Sequence, residues 1–295
     1  MTVLFIRIIF ERGSTSRTPM VRDIRGAEYT KQKRKVLWIK LGIFFVLFLA
    51  LGALSVWLSG LKSIQIDTVS ISGATVLSVP TLEGQIRSDL VGKYLWAFPK
   101  TNVFLYPRNE IEKNLLSRFP RIKSVTLNTL DNHILSVSIV ERSPFALWCD
   151  TPPTESLVSQ CYFLDTDGFV FDHAPQFSGS AYFKYYGFLP FEAPIGSYYL
   201  SSTTRFHELS GFVENTQGLG ITPLYMSAVD SDSFELFVFG GGKILLDTRE
   251  SLSKVFERFS ALLKTPNLVP KRGGELLVEY IDLRFGNKMF FKPRE

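Results

Sequence analysis

Residues 41–61, LGIFFVLFLALGALSVWLSGL, run for 21 positions without a charged side chain, and no other feature constrains the chain as strongly. At about 1.5 Å per residue a helix of that length reaches roughly 32 Å, close to the roughly 30 Å hydrocarbon core of a bilayer. Inside hydrocarbon every backbone N–H and C=O needs an internal partner, so such a segment crosses as a helix. Trp38 and Trp57 sit at interfacial depths, and an apolar extension from Val36 sets the predicted transmembrane helix at residues 36–61. Upstream stand Arg12, Arg17, Arg22, Arg25, Lys31, Lys33, Arg34, Lys35 and Lys40, whereas the 25 residues after the span contain Lys62 alone. This imbalance predicts residues 1–35 as a basic cytoplasmic tail, with everything from residue 62 on the far side of a plasma (inner) membrane. The apolar stretch is too long and too far from the start for a cleavable signal peptide, and Leu58-Ser59-Gly60 is a poor cleavage site. For the opening run MTVLFIRIIFERG two readings stand: a peripheral segment lying on the bilayer, or translation that begins at Met20.

The formal net charge of +5 is concentrated in the first forty positions, which argues against a nucleic-acid reader. With 26 Phe and 11 Tyr against 21 % charged residues, the rest is expected to form packed β structure.

Beyond the span, IQIDTVSIS alternates with Ile64, Ile66, Val69 and Ile71 apolar, apart from one slip at Asp67-Thr68, and predicts a strand ending at Gly73. A helix follows with Ser78 as N-cap, Pro80 in its first turn, and Leu82, Ile86 and Leu90 on one face. A second helix, opened by Pro107, carries Ile111, Leu115 and Phe119 and stops before Pro120. IKSVTLNTL and HILSVSIVER then read as a hairpin turning at Asp131-Asn132. The order strand, helix, helix, strand, strand over residues 62–143 is that of an α+β unit with both helices on one face of an antiparallel sheet.

That order resembles a POTRA domain, and its details are similar to those of the FtsQ/DivIB family of bacterial cell-division proteins. The residues carrying the resemblance are Gly73 in VSISGA, Pro120 and Val125 in FPRIKSVTL, and Glu141, Arg142, Pro144 and Trp148 in SIVERSPFALW. Read structurally, Glu141-Arg142 before Pro144 also suits the end of an edge strand, where charge and proline discourage pairing.

Residues 144–295 are expected to form a mainly antiparallel β domain with flanking helices. CYFLDTDGFVF predicts two short strands, with Tyr162, Leu164, Phe169 and Phe171 apolar, around a turn. Asp165 and Asp167 in that turn are not read as a calcium loop, which needs further oxygen ligands and a distal Glu in register. A helix is expected over residues 203–215. FELFVF and KILLD form a hairpin across Gly240, Gly241 and Gly242; no helix follows those glycines as a phosphate loop requires. A helix with Leu252, Val255, Phe256, Phe259 and Leu263 buried comes next. The chain closes on ELLVEYIDLRF, a Gly-Asn turn and KMFFK, with Leu277, Ile281, Leu283 and Phe285 predicted on one face and Asp282 and Arg284 on the other.

YIDLRF is similar to the last strand by which the family captures its small bitopic partners, FtsB/DivIC and through them FtsL, by strand addition. The resemblance therefore implies a divisome scaffold at the division septum that helps coordinate septal peptidoglycan synthesis. It also implies a partner-binding site at Tyr280, Asp282, Arg284, Phe285, Asn287 and Met289. Tyr is commoner than Phe at position 285 in the family, so a hydroxyl contact there, if the family uses one, is absent here.

Cys149 and Cys161 fall outside the cytoplasm in this topology, so their twelve-residue spacing suits a disulfide across the base of a loop; two buried thiols are the alternative. No metal ligand set, cofactor motif, small-molecule substrate site or catalytic residue is expected: His133, His173 and His207 are isolated, and neither G-x-S-x-G nor H-E-x-x-H occurs. Two rival classes remain, a POTRA-containing assembly or transport factor and a membrane-anchored cell-wall hydrolase.

Overall fold

A computed structural model describes residues 24–131, 133–153, 159–177, 181–187, 189, 193–265 and 274–294. The predicted tail up to residue 23, with both candidate start positions, lies outside the described residues, as does Asn132 of the predicted turn. The chain divides into two compact units, Met1–Ser59 and Gly60–Glu295.

The described residues of the first unit form the helix α1 (Ile24–Ser59). Its part Lys33–Ser59 has a mean hydropathy of 2.5 and is long and apolar enough to cross a membrane. A helix that is apolar all round needs either a protein core or lipid around it. None of its most apolar window is buried by protein.

In the second unit the first sheet has three strands. β1 (Thr68–Ser72) leads through α2 (Val79–Asp89), the short pair β2 (Lys93–Tyr94) and β3 (Phe98–Pro99), and α3 (Arg108–Arg118) to β4 (Ile122–Leu130) and β5 (Ile134–Glu141). The order is β1-β5-β4, with β1 parallel and β4 antiparallel to β5. Leu82 and Ile86 from α2, Leu90 at its C-cap, and Ile111 and Leu115 from α3 pack on Val125, Leu127, Leu135, Val137 and Ile139 of the sheet. At the β4–β5 turn Asp131 has φ +50°, the conformation expected for a tight hairpin.

Two expectations change here. The strand predicted from Ile64 begins only at Thr68. Upstream, the Val103 N–H donates to Ile64 O at 2.9 Å and the Ile66 N–H donates to Thr101 O at 2.8 Å, so the break at Asp67-Thr68 is where the chain exchanges one pairing partner for another. Glu141-Arg142 also does not end an edge strand, because β5 is the central strand. Glu141 instead accepts backbone N–H bonds from Thr75, Val76 and Leu77 at 2.8, 3.1 and 3.0 Å, which orders the turn leading into α2. Gly73, at φ +83°, lies so close to β5 that an added Cβ would stand 2.0 Å from Ile139 O.

The second sheet has nine strands: β6 (Ala146–Cys149), β7 (Cys161–Leu164), β8 (Val170–His173), β9 (Lys184–Tyr186), β10 (Pro223–Ala228), β11 (Ser233–Val238), β12 (Lys243–Asp247), β13 (Val278–Phe285) and β14 (Lys288–Pro293). Their order is β14-β13-β12-β11-β10-β9-β6-β7-β8, mainly antiparallel, with parallel pairs β12–β13, β9–β10 and β6–β9. The helices α4 (Thr203–Gly218) and α5 (Leu252–Leu262) supply Phe206, Leu209, Phe212, Val255 and Phe259 to the larger core. Successive strand residues point to opposite faces. Ala146, Trp148, Tyr162 and Leu164 therefore join that core, while Leu147, Cys149, Phe163, Phe171 and Tyr186 form a second, aromatic cluster on the other face. Cys149 and Cys161 are register partners on β6 and β7 and are joined by a disulfide.

Candidate partner-binding site

β14 forms one end of the nine-stranded sheet, so its outer side has no strand partner among the described residues. The residues singled out in sequence lie on β13 (280–285), in the turn after it (Asn287) and on β14 itself (Met289). The turn from β13 to β14 is closed by the Phe285–Lys288 pair with Gly286 at φ +58°, a value that a two-residue hairpin favours.

The predicted face assignment along β13 needs correction. Leu276 and Val278 lie in the core, and Leu277 does not. An irregularity between Val278 and Tyr280 shifts the alternation by one residue, so that Ile281 and Leu283 are next in the core. A second irregularity between Asp282 and Phe285 turns Phe285 out, leaving it 57 % exposed instead of sharing the face of Ile281. There its ring meets Phe290 edge to face at 5.5 Å, and the Arg284 guanidinium lies 5.8 Å from its centre. Phe291 is also exposed.

Asp282 is buried and holds Arg284 from beneath. Its Oδ1 accepts the Arg284 backbone N–H at 3.1 Å and Nε–H at 2.9 Å, and its Oδ2 accepts Nη2–H at 2.7 Å. Burial alone would push the Asp282 carboxyl up, but the Arg284 side-chain and backbone donors outweigh it and hold it below the ordinary carboxylate range. Arg284 is thus fixed in direction, which lowers the entropy cost of using it in a contact. The same device recurs next door: at the end of β12, parallel to β13, Asp247 accepts the backbone and side-chain donors of Arg249. Asp247, Arg249, Glu250, Leu283 and Arg284 line a cleft of about 290 Å³ at the strand ends.

The remaining predicted residues divide. Asn287 is exposed in the turn, and Tyr280 is half-buried in register with Lys243 on one side and Lys292 on the other. Met289 is half-buried and packs against the core, whereas Arg284, Phe285 and Asn287 are exposed. Sequence reasoning missed Phe290, Phe291 and the Lys292–Glu279 ion pair at 2.7 Å, although FF between two lysines at a chain end was the available signal.

A second polar assembly joins the two sheets. Asp165, Asp167 and Asp172 on the β7–β8 hairpin face Arg142, Lys123 and Arg121 from the three-stranded sheet. Asp165 Oδ1 also accepts the backbone N–H groups of Asp167 and Phe169, both at 2.9 Å, so the aspartate pair shapes its turn and meets cations already in the chain. Among the described residues no group of three or more His, Cys, Asp or Glu could hold a metal ion.

No family model matches the chain, and no curated protein matches it.

Proposed function

We propose that this is a single-pass membrane protein whose outer part works as a division scaffold of FtsQ/DivIB type, capturing extended segments of FtsB/DivIC-like and FtsL-like partners rather than performing chemistry. The observation that carries the reading is the outer side of β14, without a strand partner among the described residues, in a hairpin that exposes an aromatic and cationic cluster, Arg284, Phe285 and Phe290. A partner strand added there gains main-chain hydrogen bonds from the edge and side-chain specificity from the cluster. Lys288, Lys292 and Pro293 on β14 discourage indiscriminate pairing, so a partner must bring complementary charge.

The helix–strand order before β4 and the sheet order β1-β5-β4 support a POTRA-type module. The basic flank of α1 supports an N-terminus on the cytoplasmic side. The test is purification of the tagged full chain from membranes, with mass spectrometry of short bitopic proteins that accompany it. Arg284→Glu and Phe285→Ala are expected to lose those companions while keeping the chain in the membrane. Unchanged recovery with both variants would sink the last-strand site, and release of fragments from peptidoglycan by the purified protein would replace the scaffold by a hydrolase.

A further inference from the structure

Among the described residues outside α1, the connection between α2 and α3 contains the most exposed apolar ones. Tyr94-Leu95-Trp96-Ala97 is a tight turn closed by the Ala97 N–H on Tyr94 O at 3.1 Å, and both central residues are left-handed, Leu95 at φ +47° and Trp96 at φ +60°. Glycine or asparagine is usual in such positions. Here a leucine 84 % exposed and a tryptophan 95 % exposed occupy them. Val91 and Phe104 in the same connection are exposed to a similar degree. Large apolar side chains at the tip of a strained turn gain nothing from the protein's own core, so their surroundings must supply the reason for them.

The position of this turn within its unit says what those surroundings are. The Ile66 N–H donates to Thr101 O, the Val103 N–H donates to Ile64 O, and the Gln65 side chain donates to Gly60 O at 3.0 Å, so the connection is fastened to the first residues of the unit. Gly60 directly follows the apolar helix, and a chain of five residues extends at most about 17 Å. If α1 lies in a bilayer, the covalent link through Gly60 keeps residues 60–66, and the connection fastened to them, within that reach of it. Residues 91–107 contain Lys93 and Lys100 and no acidic residue; Lys100 pairs with Glu110 at 3.4 Å, whereas Lys93 and Lys62 are exposed. Lysine ammonium groups and an indole ring are the pair that favours the headgroup region of an anionic leaflet.

We propose that Leu95 and Trp96 insert into the interfacial layer of the membrane on their own side of the anchor, making a second, shallow attachment that restrains how the outer part swings about its tether. The proposal rests on the anchoring half of the function proposed above and not on any division partner.

The test uses the full chain in vesicles of phosphatidylethanolamine and phosphatidylglycerol, with Trp38 and Trp57 changed to Phe. Only Trp96 and the fully buried Trp148 then emit, and Trp148 serves as the internal reference. A quencher carried near the lipid headgroups is expected to reduce the emission, and a further Trp96→Phe change is expected to remove that reduction. Independently, a nitroxide on Trp96→Cys, with Cys149 and Cys161 bridged, is expected to show the restricted mobility of a headgroup-embedded probe. Long-wavelength, quencher-insensitive Trp96 emission from protein that resists alkaline carbonate extraction would overturn this inference alone. Quenching that needs another co-reconstituted membrane protein would assign the turn to that protein instead. Loss of the full chain from membranes in carbonate would overturn the anchor as well.

Discussion

The Arg142 guanidinium pairs with the Asp165 carboxylate inside the junction between the two sheets, where the side chains are only 10 % and 3 % exposed, and it lies over the Phe169 ring with Cζ 4.0 Å from the centre. Its Nε–H also donates to Pro120 O at 3.2 Å. Removing one member of a buried pair strands the other charge, at a cost of about 3–5 kcal/mol. Arg142→Met is expected to lower unfolding stability by that order, and Arg142→Met with Asp165→Asn by less than the sum of the two changes. Urea unfolding of the four proteins in a double-mutant cycle gives the coupling; additive losses would show that the pair does not act as a unit.

Gly73 sits where the end of β1 passes over β5. With φ +83° and Ile139 O only 2.0 Å from the place of a Cβ, both conformation and space exclude a side chain. The β1–β5 ladder has to move to admit one, so Gly73→Ala is expected to cost more than about 4 kcal/mol. Gly84→Ala, in α2 with nothing within 4 Å, is the control and is expected to stabilise by up to about 1 kcal/mol. Thermal unfolding of both variants is the measurement.

Local periodicity made much of this fold legible. The stripes Leu82-Ile86-Leu90 and Ile111-Leu115 marked α2 and α3, and alternation marked β4 and β5. What escaped was set by pairing at long range. Nothing local shows that β5 is central, so Glu141 and Arg142 read as an edge device when one holds the turn before α2 and the other the junction. The strands β9 and β10 went unseen because three residues, KYY, and six with no clean alternation, carry too little period to register. At the candidate site, Asp282, Arg284 and Phe285 could be read from YIDLRF. The bulges that turn Phe285 outward could not, because register irregularities depend on the partner strand.

The disulfide closes the segment between β6 and β7. In the chain-entropy model a loop of this size contributes about 3 kcal/mol by restricting the unfolded chain. Reduction, or Cys149→Ala with Cys161→Ala, is expected to lower the unfolding midpoint by a matching amount, and reductant should leave the double variant unaffected. A reductant effect of equal size on the variant would place the loss elsewhere.

Several carboxylates are expected to make stability fall in acid. At Glu141 burial acts upward, but the backbone donors of Leu77, Thr75 and Val76 prevail and its pKa is lowered. Asp167 is lowered first by the Lys123 hydrogen bond and Asp247 first by Arg249. A lowered folded pKa means that the unfolded chain binds more protons, so stability is present above the unfolded values of about 4 and is lost as pH falls through the folded ones. Glu141→Gln is expected to be less stable than the parent at about pH 7 and to lose less between about pH 5 and pH 3. Parallel acid limbs in the two proteins would exclude Glu141 from the effect.

Phe285→Ala tests the proposed partner capture apart from folding. Its ring is more exposed than buried and rests mainly on Phe290, itself exposed, so Phe285→Ala removes little core packing and is expected to cost less than about 1 kcal/mol of stability. An aromatic anchor at the centre of a captured strand typically contributes about 2 kcal/mol or more to affinity, or roughly thirtyfold. Met289→Ala is the opposite case: it packs against the core, so its loss is expected to fall on stability and spare partner capture. Measuring urea midpoints beside recovery of bitopic partners for both variants distinguishes a displayed anchor from a packing residue. Equal effects of the two changes on recovery would mean that partners respond to the stability of the β13–β14 hairpin rather than to Phe285 itself.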